Sequence, residues 1–164
     1  MNEHLPVDKT FKLFIGGALP RSESGRTFAV RDAKGALLAN ASQASRKDLR
    51  EAVRAARGAQ ESWAGRTAYN RGQILYRAAE MMEARRPEFV SVLRQIGVTP
   101  KAASKQVDQA IDRWVWYAGW ADKTHHILGT VNPVAGPYFN FTFPEPTGVV
   151  GVMAPAEPAL LGLG

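Results

Sequence analysis

The stretch GVVGVM at residues 148–153 decides the fold of this 164-residue chain. An unbroken run of small and β-branched apolar residues is typical of a strand that is covered on both faces of a parallel sheet. The Pro-rich residues 155–158 predict a turn directly after that strand. Because ligands of open α/β sheets bind beyond the carboxyl ends of the strands, we expect a ligand site at this turn. No second strand follows, so we expect an incomplete sheet with exposed apolar faces.

Four helices are predicted ahead of this strand. Ser45 and Asp48 have the spacing of a capping box, which starts the first helix. The other three are expected at about residues 68–85, 88–96 and 100–123, where apolar residues recur at helical spacing. The chain before residue 137 is therefore expected to be mostly helical.

Short strands are predicted at residues 11–15, 27–31 and 36–40, as a small antiparallel meander. Gly16 and Gly17 predict a tight hairpin turn, because glycine accepts positive φ without steric cost. This small sheet precedes the helices.

Residues 139–143 alternate aromatic and polar side chains, which is typical of a half-buried strand. Phe139, Phe141 and Phe143 would share one face and need a cover. The Gly- and Pro-rich residues 129–137 before them are expected to form a connector. Since an exposed edge strand invites pairing, a partner subunit is one plausible cover.

The composition excludes several kinds of site. The absence of cysteine rules out disulfides, thiolate metal sites and a cysteine nucleophile within this chain. His4, His125 and His126 are the only histidines, and adjacent histidines without a third ligand do not favour a metal site.

The net charge of +6 does not by itself predict a nucleic-acid partner. The basic residues are interleaved with acidic ones, as on solvated helix faces, and no recognition motif is present. No apolar run is as long as a membrane span, and the first nine residues lack the apolar core of a signal peptide. We therefore expect a cytoplasmic protein without membrane or nucleic-acid partners.

Several motifs, in this order, resemble those of aldehyde dehydrogenases. They are LFIGG at residues 13–17, the helix at 51–63, RGQIL at 71–75, YAGWADK at 117–123 and EPTGVVG at 145–151. The resemblance extends from about residue 11 to residue 160 and corresponds to roughly the first third of a family chain. It implies an α/β fold: the N-terminal part of a Rossmann-like NAD(P)-binding aldehyde dehydrogenase domain, mostly helical with a small β-meander and an incomplete sheet.

The resemblance also implies a division of the chain. Residues 1–10 would be a flexible N-terminus and residues 11–133 the helical layer of the cofactor domain. Residues 134–147 would carry the first strand of an oligomerisation arm. Residues 148–164 would hold the first strand and turn of the nucleotide-binding sheet, truncated after that turn.

The family reaction that the resemblance implies needs groups outside this chain. A cysteine thiolate attacks the aldehyde, hydride passes to NAD or NADP, and a glutamate-activated water releases the acid. Within this chain only Met153, Ala154, Pro155 and Ala156 would contribute to the cofactor site. We expect that incomplete site not to bind NAD or NADP alone, and we assign no catalytic residue.

Glu157 stands where the family usually has an oxyanion-binding asparagine. The family pattern Pro-Trp-Asn corresponds to Pro155, Ala156 and Glu157 here. A carboxylate accepts hydrogen bonds and repels a developing oxyanion, which is the reverse of what the transition state needs. This departure resembles an atypical branch of the family; the alternative is that Glu157 is a surface or capping residue of a diverged turn.

Three hypotheses follow for the chain. The first is an inactive N-terminal piece of an aldehyde dehydrogenase-like protein. The second is an interaction or oligomerisation subunit that pairs with itself or a full-length homologue through residues 139–143. The third is an interrupted product, from a frameshift, a split gene or an incomplete read. In each case we expect a helical subdomain of marginal stability, with a disordered or aggregation-prone tail after about residue 137.

Overall fold

The computed structural model describes residues 10–155 and 157–162. Within this part of the chain, the helices are α1 (Arg46–Ala64), α2 (Ala68–Ala84), α3 (Arg86–Gln95), α4 (Pro100–Trp120) and α5 (Thr124–Leu128). The strands are β1 (Thr10–Phe11), β2 (Thr27–Arg31), β3 (Leu37–Ser42), β4 (Thr130–Asn132) and β5 (Asn140–Thr142). The predicted class, mostly helical with small incomplete sheets, is confirmed.

A capping box starts α1, as predicted. The Ser45 hydroxyl accepts from the backbone N–H groups of Lys47 and Asp48, and the Asp48 carboxylate accepts from the Ser45 N–H at 2.7 Å. Asp48 is buried and also accepts the hydroxyl hydrogen of Ser22 at 2.7 Å. The start of α1 is thereby tied to the loop that precedes β2.

The core lies where α4 packs against α2 and α3. Ala103, Val107 and Ala110 on α4 are completely buried. Ala103 and Val107 form one apolar cluster with Ile111 of α4, Ala79 of α2 and Leu93 of α3. Burying one Val or Leu side chain stabilises a fold by about 1.5–3 kcal/mol, so this small cluster matters for the whole helical layer.

The helices α2 and α4 approach each other most closely at a glycine. A Cβ atom placed on Gly72 would lie 2.9 Å from the backbone carbonyl oxygen of Ala118 and 3.4 Å from the Cβ of Ala121. Any side chain at position 72 would therefore push the two helices apart. The contact depends on the absence of that side chain.

The first sheet has the order β1-β3-β2, with β2 antiparallel and β1 parallel to β3. The predicted antiparallel meander is therefore wrong for the first strand, which is also shorter than predicted. Gly16 and Gly17 do form the predicted tight turn, with φ of 60° and 80°. That turn closes the Ile15–Ala18 bridge and is followed by a bond from the Leu13 N–H to the Pro20 carbonyl at 3.0 Å, so residues 13–20 pair with each other and β1 pairs with β3.

A hairpin of β4 and β5 replaces the predicted connector and single edge strand. The two strands pair antiparallel, with Val131 opposite Phe141. Asn132 donates from Nδ2 to the Asn140 Oδ1 and to the Thr142 Oγ1, both at 2.9 Å. These cross-strand bonds explain why residues 130–132 form a strand, which local composition did not predict.

The fourth helix ends at Trp120, earlier than predicted, and α5 follows it as a separate short helix. The Thr124 hydroxyl donates to the Trp120 carbonyl at 2.9 Å, and the Lys123 N–H donates to the same residue's carbonyl at 3.0 Å. Because these bonds satisfy the final carbonyl of α4, the chain turns there.

The strand predicted at residues 148–153 does not form. No strand is present among residues 148–155, and Val150, Val152 and Met153 are 66%, 77% and 98% exposed. The expected exposure of these apolar residues is confirmed. The absence of a neighbouring strand in the described part of the chain explains why no strand forms here. A strand satisfies its backbone groups through neighbouring strands, and among the described residues no strand pairs with this run.

We expect Gly72→Ala to lower the free energy of unfolding by about 1–3 kcal/mol, because overpacking at the Ala118 carbonyl must separate α2 from α4. Gly58→Ala is the matched control, since a Cβ at Gly58 in α1 meets nothing within 4 Å. That control should stabilise the chain by about 0.5–1 kcal/mol. Urea unfolding followed by circular dichroism measures both; Gly72→Ala at least as stable as the wild type would contradict the close contact.

Acid should remove the contribution of Asp48. Hydrogen bonds from Ser22 and the Ser45 N–H lower the pKa of Asp48 from 3.8 to about 2. A lowered carboxyl pKa stabilises the folded state above the unfolded value, and this stabilisation disappears as the pH falls from 3.8 towards 2. Asp48→Asn should therefore flatten the loss of stability over that interval. Equal pH slopes for wild type and Asp48→Asn would refute this.

Candidate functional site

An open groove runs beside residues 143–150. It has a volume of about 940 Å³ and is bounded by α1, α2, the end of α4 and α5. Trp63 of α1, Leu75 of α2 and Trp120 of α4 line it. This groove holds one side of the segment that leads to the predicted ligand turn.

Polar side chains at the groove have structural partners. Arg71 donates to the carbonyl of Ala64 at 3.3 Å and to that of Arg66, so its guanidinium caps the carboxyl end of α1. The ring of His125 lies 6.3 Å from that of Phe143, measured between centroids. Arg71 therefore has a structural role at the groove, where it satisfies carbonyl groups at the end of α1.

A glycine lets the segment pass close to α1. Gly148 has φ of +107°, and a Cβ there would lie 3.6 Å from the amide nitrogen of Gln60. Few residues other than glycine adopt that backbone conformation. Val149 and Val150, which follow Gly148, are the last residues of the segment that line the groove.

The predicted cofactor residues lie outside the groove, in an exposed loop. Met153, Ala154 and Pro155 are exposed, and so is Glu157. Ala156, also predicted to contribute, lies outside the described residues. The structure therefore places four of these five predicted residues in one exposed stretch of chain.

The chain beyond this loop is attached to α4, which sequence reasoning did not predict. The Leu160 N–H donates to the Gln106 Oε1 at 3.1 Å, and the Arg113 Nη1 donates to the Leu161 carbonyl at 2.8 Å. Leu160 also packs against the core cluster. In the sequence, Leu160 and Leu161 indicate only that this stretch is apolar. No local pattern identifies α4 as the element that they contact.

The described residues offer no group of three or more His, Cys, Asp or Glu side chains that could hold a metal ion. None of the described helices combines the length and the apolar content that crossing a membrane requires. The candidate site that remains is the exposed stretch of Met153, Ala154, Pro155 and Glu157, which follows the groove along the chain.

Comparison with known proteins identifies this arrangement. The model described as "Aldehyde dehydrogenase family" matches residues 20–161. The chain belongs to the aldehyde dehydrogenase family. The resemblance inferred from its motifs is confirmed.

Relatives and solved structures agree with this family. Retinal dehydrogenase 2 of Homo sapiens is 37% identical over 153 residues, covering 90% of this chain. An aldehyde dehydrogenase structure from Bacillus cereus superposes with a TM-score of 0.74 at 29% identity over 81% of this chain. The NAD-dependent benzaldehyde dehydrogenase of Corynebacterium glutamicum gives a TM-score of 0.71 at 31% identity over 77% of this chain.

The match covers only part of each aldehyde dehydrogenase. This chain spans 29% of the length of the human relative and 28% of each of those two solved chains. The similarity therefore establishes the family and the fold of this portion.

Proposed function

We propose that this chain is the N-terminal portion of an aldehyde dehydrogenase-like NAD(P)-dependent oxidoreductase that converts an aldehyde to a carboxylic acid, and that it is inactive alone. The observation that carries the proposal is the exposed apolar run at residues 148–153, which has the sequence of a buried sheet strand. Such a run gains stability only when a sheet covers it. The remaining part of a family protein would supply that sheet.

The energetics favour this association. Val150, Val152 and Met153 are exposed here, and covering each would contribute about 1.5–3 kcal/mol. Unpaired backbone N–H and C=O groups along the run would also gain partners. These contributions offset the entropy that the segment loses when it joins a sheet.

The loop at residues 153–157 fits the edge of a dinucleotide site. Ligands of such sheets lie beyond the carboxyl end of a strand, and Ala154 is a small residue that allows close approach at that end. Met153 and Pro155 would form one wall, and the rest of the protein the other. NAD or NADP, when bound, accepts the hydride of the aldehyde.

The chain lacks a cysteine nucleophile and has no hydrogen-bond donor at the position expected to bind the oxyanion. No cysteine occurs among its 164 residues, so the thiolate nucleophile must come from elsewhere. Glu157 is exposed and offers only acceptor oxygens, which disfavour an oxyanion beside it. A protein assembled with this chain would therefore be a slow catalyst at best.

Reconstitution tests the proposal. The chain is mixed with the remainder of the Corynebacterium glutamicum benzaldehyde dehydrogenase, and NADH formation from benzaldehyde is followed by absorbance. We expect no turnover by the chain alone, weak turnover by the mixture, and a gain of about 100- to 1000-fold with Glu157→Asn, which restores a donor.

Glu83→Asn, an exposed change on α2, is the matched control and should leave the rate of the mixture unchanged. Turnover by the isolated chain would contradict the inactivity. A mixture in which Glu157→Asn gives no gain would remove the oxyanion role of position 157.

A second candidate function is association through the β4–β5 hairpin, either with another copy or with a full-length homologue. The rings of Phe139, Phe141 and Phe143 lie side by side, with centroids 5.4 Å and 5.8 Å apart. Phe139 is 75% exposed. Contiguous exposed apolar surface of this kind marks interaction sites.

We expect Phe141→Ser to reduce self-association, measured by size-exclusion chromatography with light scattering, because it interrupts the row of rings. Val92→Ser, which also replaces an exposed apolar residue but on α3, is the control and should have no effect. A wild-type chain that stays monomeric and does not bind a full-length homologue would exclude this function.

A further inference from the structure

The turn at residues 158–162 is held to α4 by two side chains. Gln106 accepts from the Leu160 N–H at 3.1 Å, and Arg113 donates to the Leu161 carbonyl at 2.8 Å. These two residues are about two helical turns apart, so they lie on the same face of α4. One face of one helix therefore fixes successive residues of the turn.

Apolar contacts and an internal hydrogen bond complete the attachment. Ala159 and Leu160 pack against the core cluster that includes Val107. The Gly162 N–H donates to the Pro158 carbonyl at 3.0 Å, which closes the turn on itself. The turn is thus anchored by the helical core and needs no sheet.

The anchored turn also contacts the exposed loop. A Cβ on Gly162 would lie 2.6 Å from the Cδ and 2.8 Å from the Cγ of Pro155. Only glycine lets the turn approach the Pro155 ring so closely. The position of Pro155 is therefore linked to the position of the turn, and through the turn to α4.

We infer that Gln106 and Arg113 are positioning residues for Pro155 and for Met153 and Ala154, which precede it in the exposed loop. They fix the turn on α4, and the contact between Gly162 and Pro155 transmits that position to the loop. The attachment of the turn to α4 does not depend on the proposed function. The inference rests on that function only in taking NAD or NADP as the ligand that the loop faces. On this view the helical layer sets the loop in place before any sheet covers residues 148–153.

Amide hydrogen exchange of the full chain, measured by NMR, tests the attachment. Gln106→Leu removes the acceptor and should accelerate exchange of the Leu160 amide about tenfold. Gln106→Glu keeps an acceptor oxygen and should stay near the wild-type rate. Gln109→Leu makes the same replacement at an exposed position of α4 and should change nothing.

The Val107 amide serves as the internal reference in every variant. Unchanged exchange there shows that α4 remains folded, so that faster exchange at Leu160 reports the turn alone. A Leu160 rate in Gln106→Leu equal to the wild type, or acceleration of the same size in Gln109→Leu, would overturn the inference.

The reconstituted mixture gives the second measurement. Displacement of the loop should raise the KM for NAD about tenfold in Gln106→Leu, with a smaller change in kcat and recovery in Gln106→Glu. Faster Leu160 exchange with an unchanged KM would overturn the positioning role. If the wild-type mixture has no turnover, the proposed function fails, and the exchange result still decides whether Gln106 holds the turn.

Discussion

The close contact between α2 and α4 is the constraint on which the other described features depend. At Gly72 the two helices approach until a Cβ would lie 2.9 Å from the Ala118 carbonyl. Further along the same pair of helices Val107 is fully buried, and Leu93 of α3 belongs to the same cluster. Dispersion attraction between two helices requires that their surfaces touch. Because Gly72 has no side chain, it lets the neighbouring side chains of α2 and α4 come into contact.

The same helix α4 supports both ends of the candidate ligand segment. Near its carboxyl end, Trp120 lines the groove beside residues 143–150. Closer to its start, Gln106 accepts the hydrogen bond that holds the turn at residues 158–162. The loop between these two attachments is exposed, and Met153 lies at its most accessible point. The helix α4 therefore contacts the chain both before and after the exposed loop. A loop that is supported on a helix in this way is held more precisely than a loop without support.

Sequence reasoning succeeded where the determining interactions are local. The capping box of Ser45 and Asp48 and the bounds of β2 (Thr27–Arg31) follow from residues a few positions apart. It failed where the partner is distant. The parallel pairing of β1 with β3, the strand β4 (Thr130–Asn132) and the bond from Leu160 to Gln106 each depend on residues that no local pattern connects. The family was recognisable because its motifs recur in order, which no single contact reveals.

The run at residues 148–153 separates what a sequence prefers from what a chain can form. Its β-branched residues favour a strand, yet a strand needs neighbours for its N–H and C=O groups. The helical core does not supply such partners, because Val107 and its neighbours pack through their side chains. The backbone groups of a helix already bond to one another. Stability of this portion and completion of its site therefore depend on different interactions. Helix packing maintains the support, whereas the proposed ligand site would require backbone pairing with a sheet that the described residues do not contain.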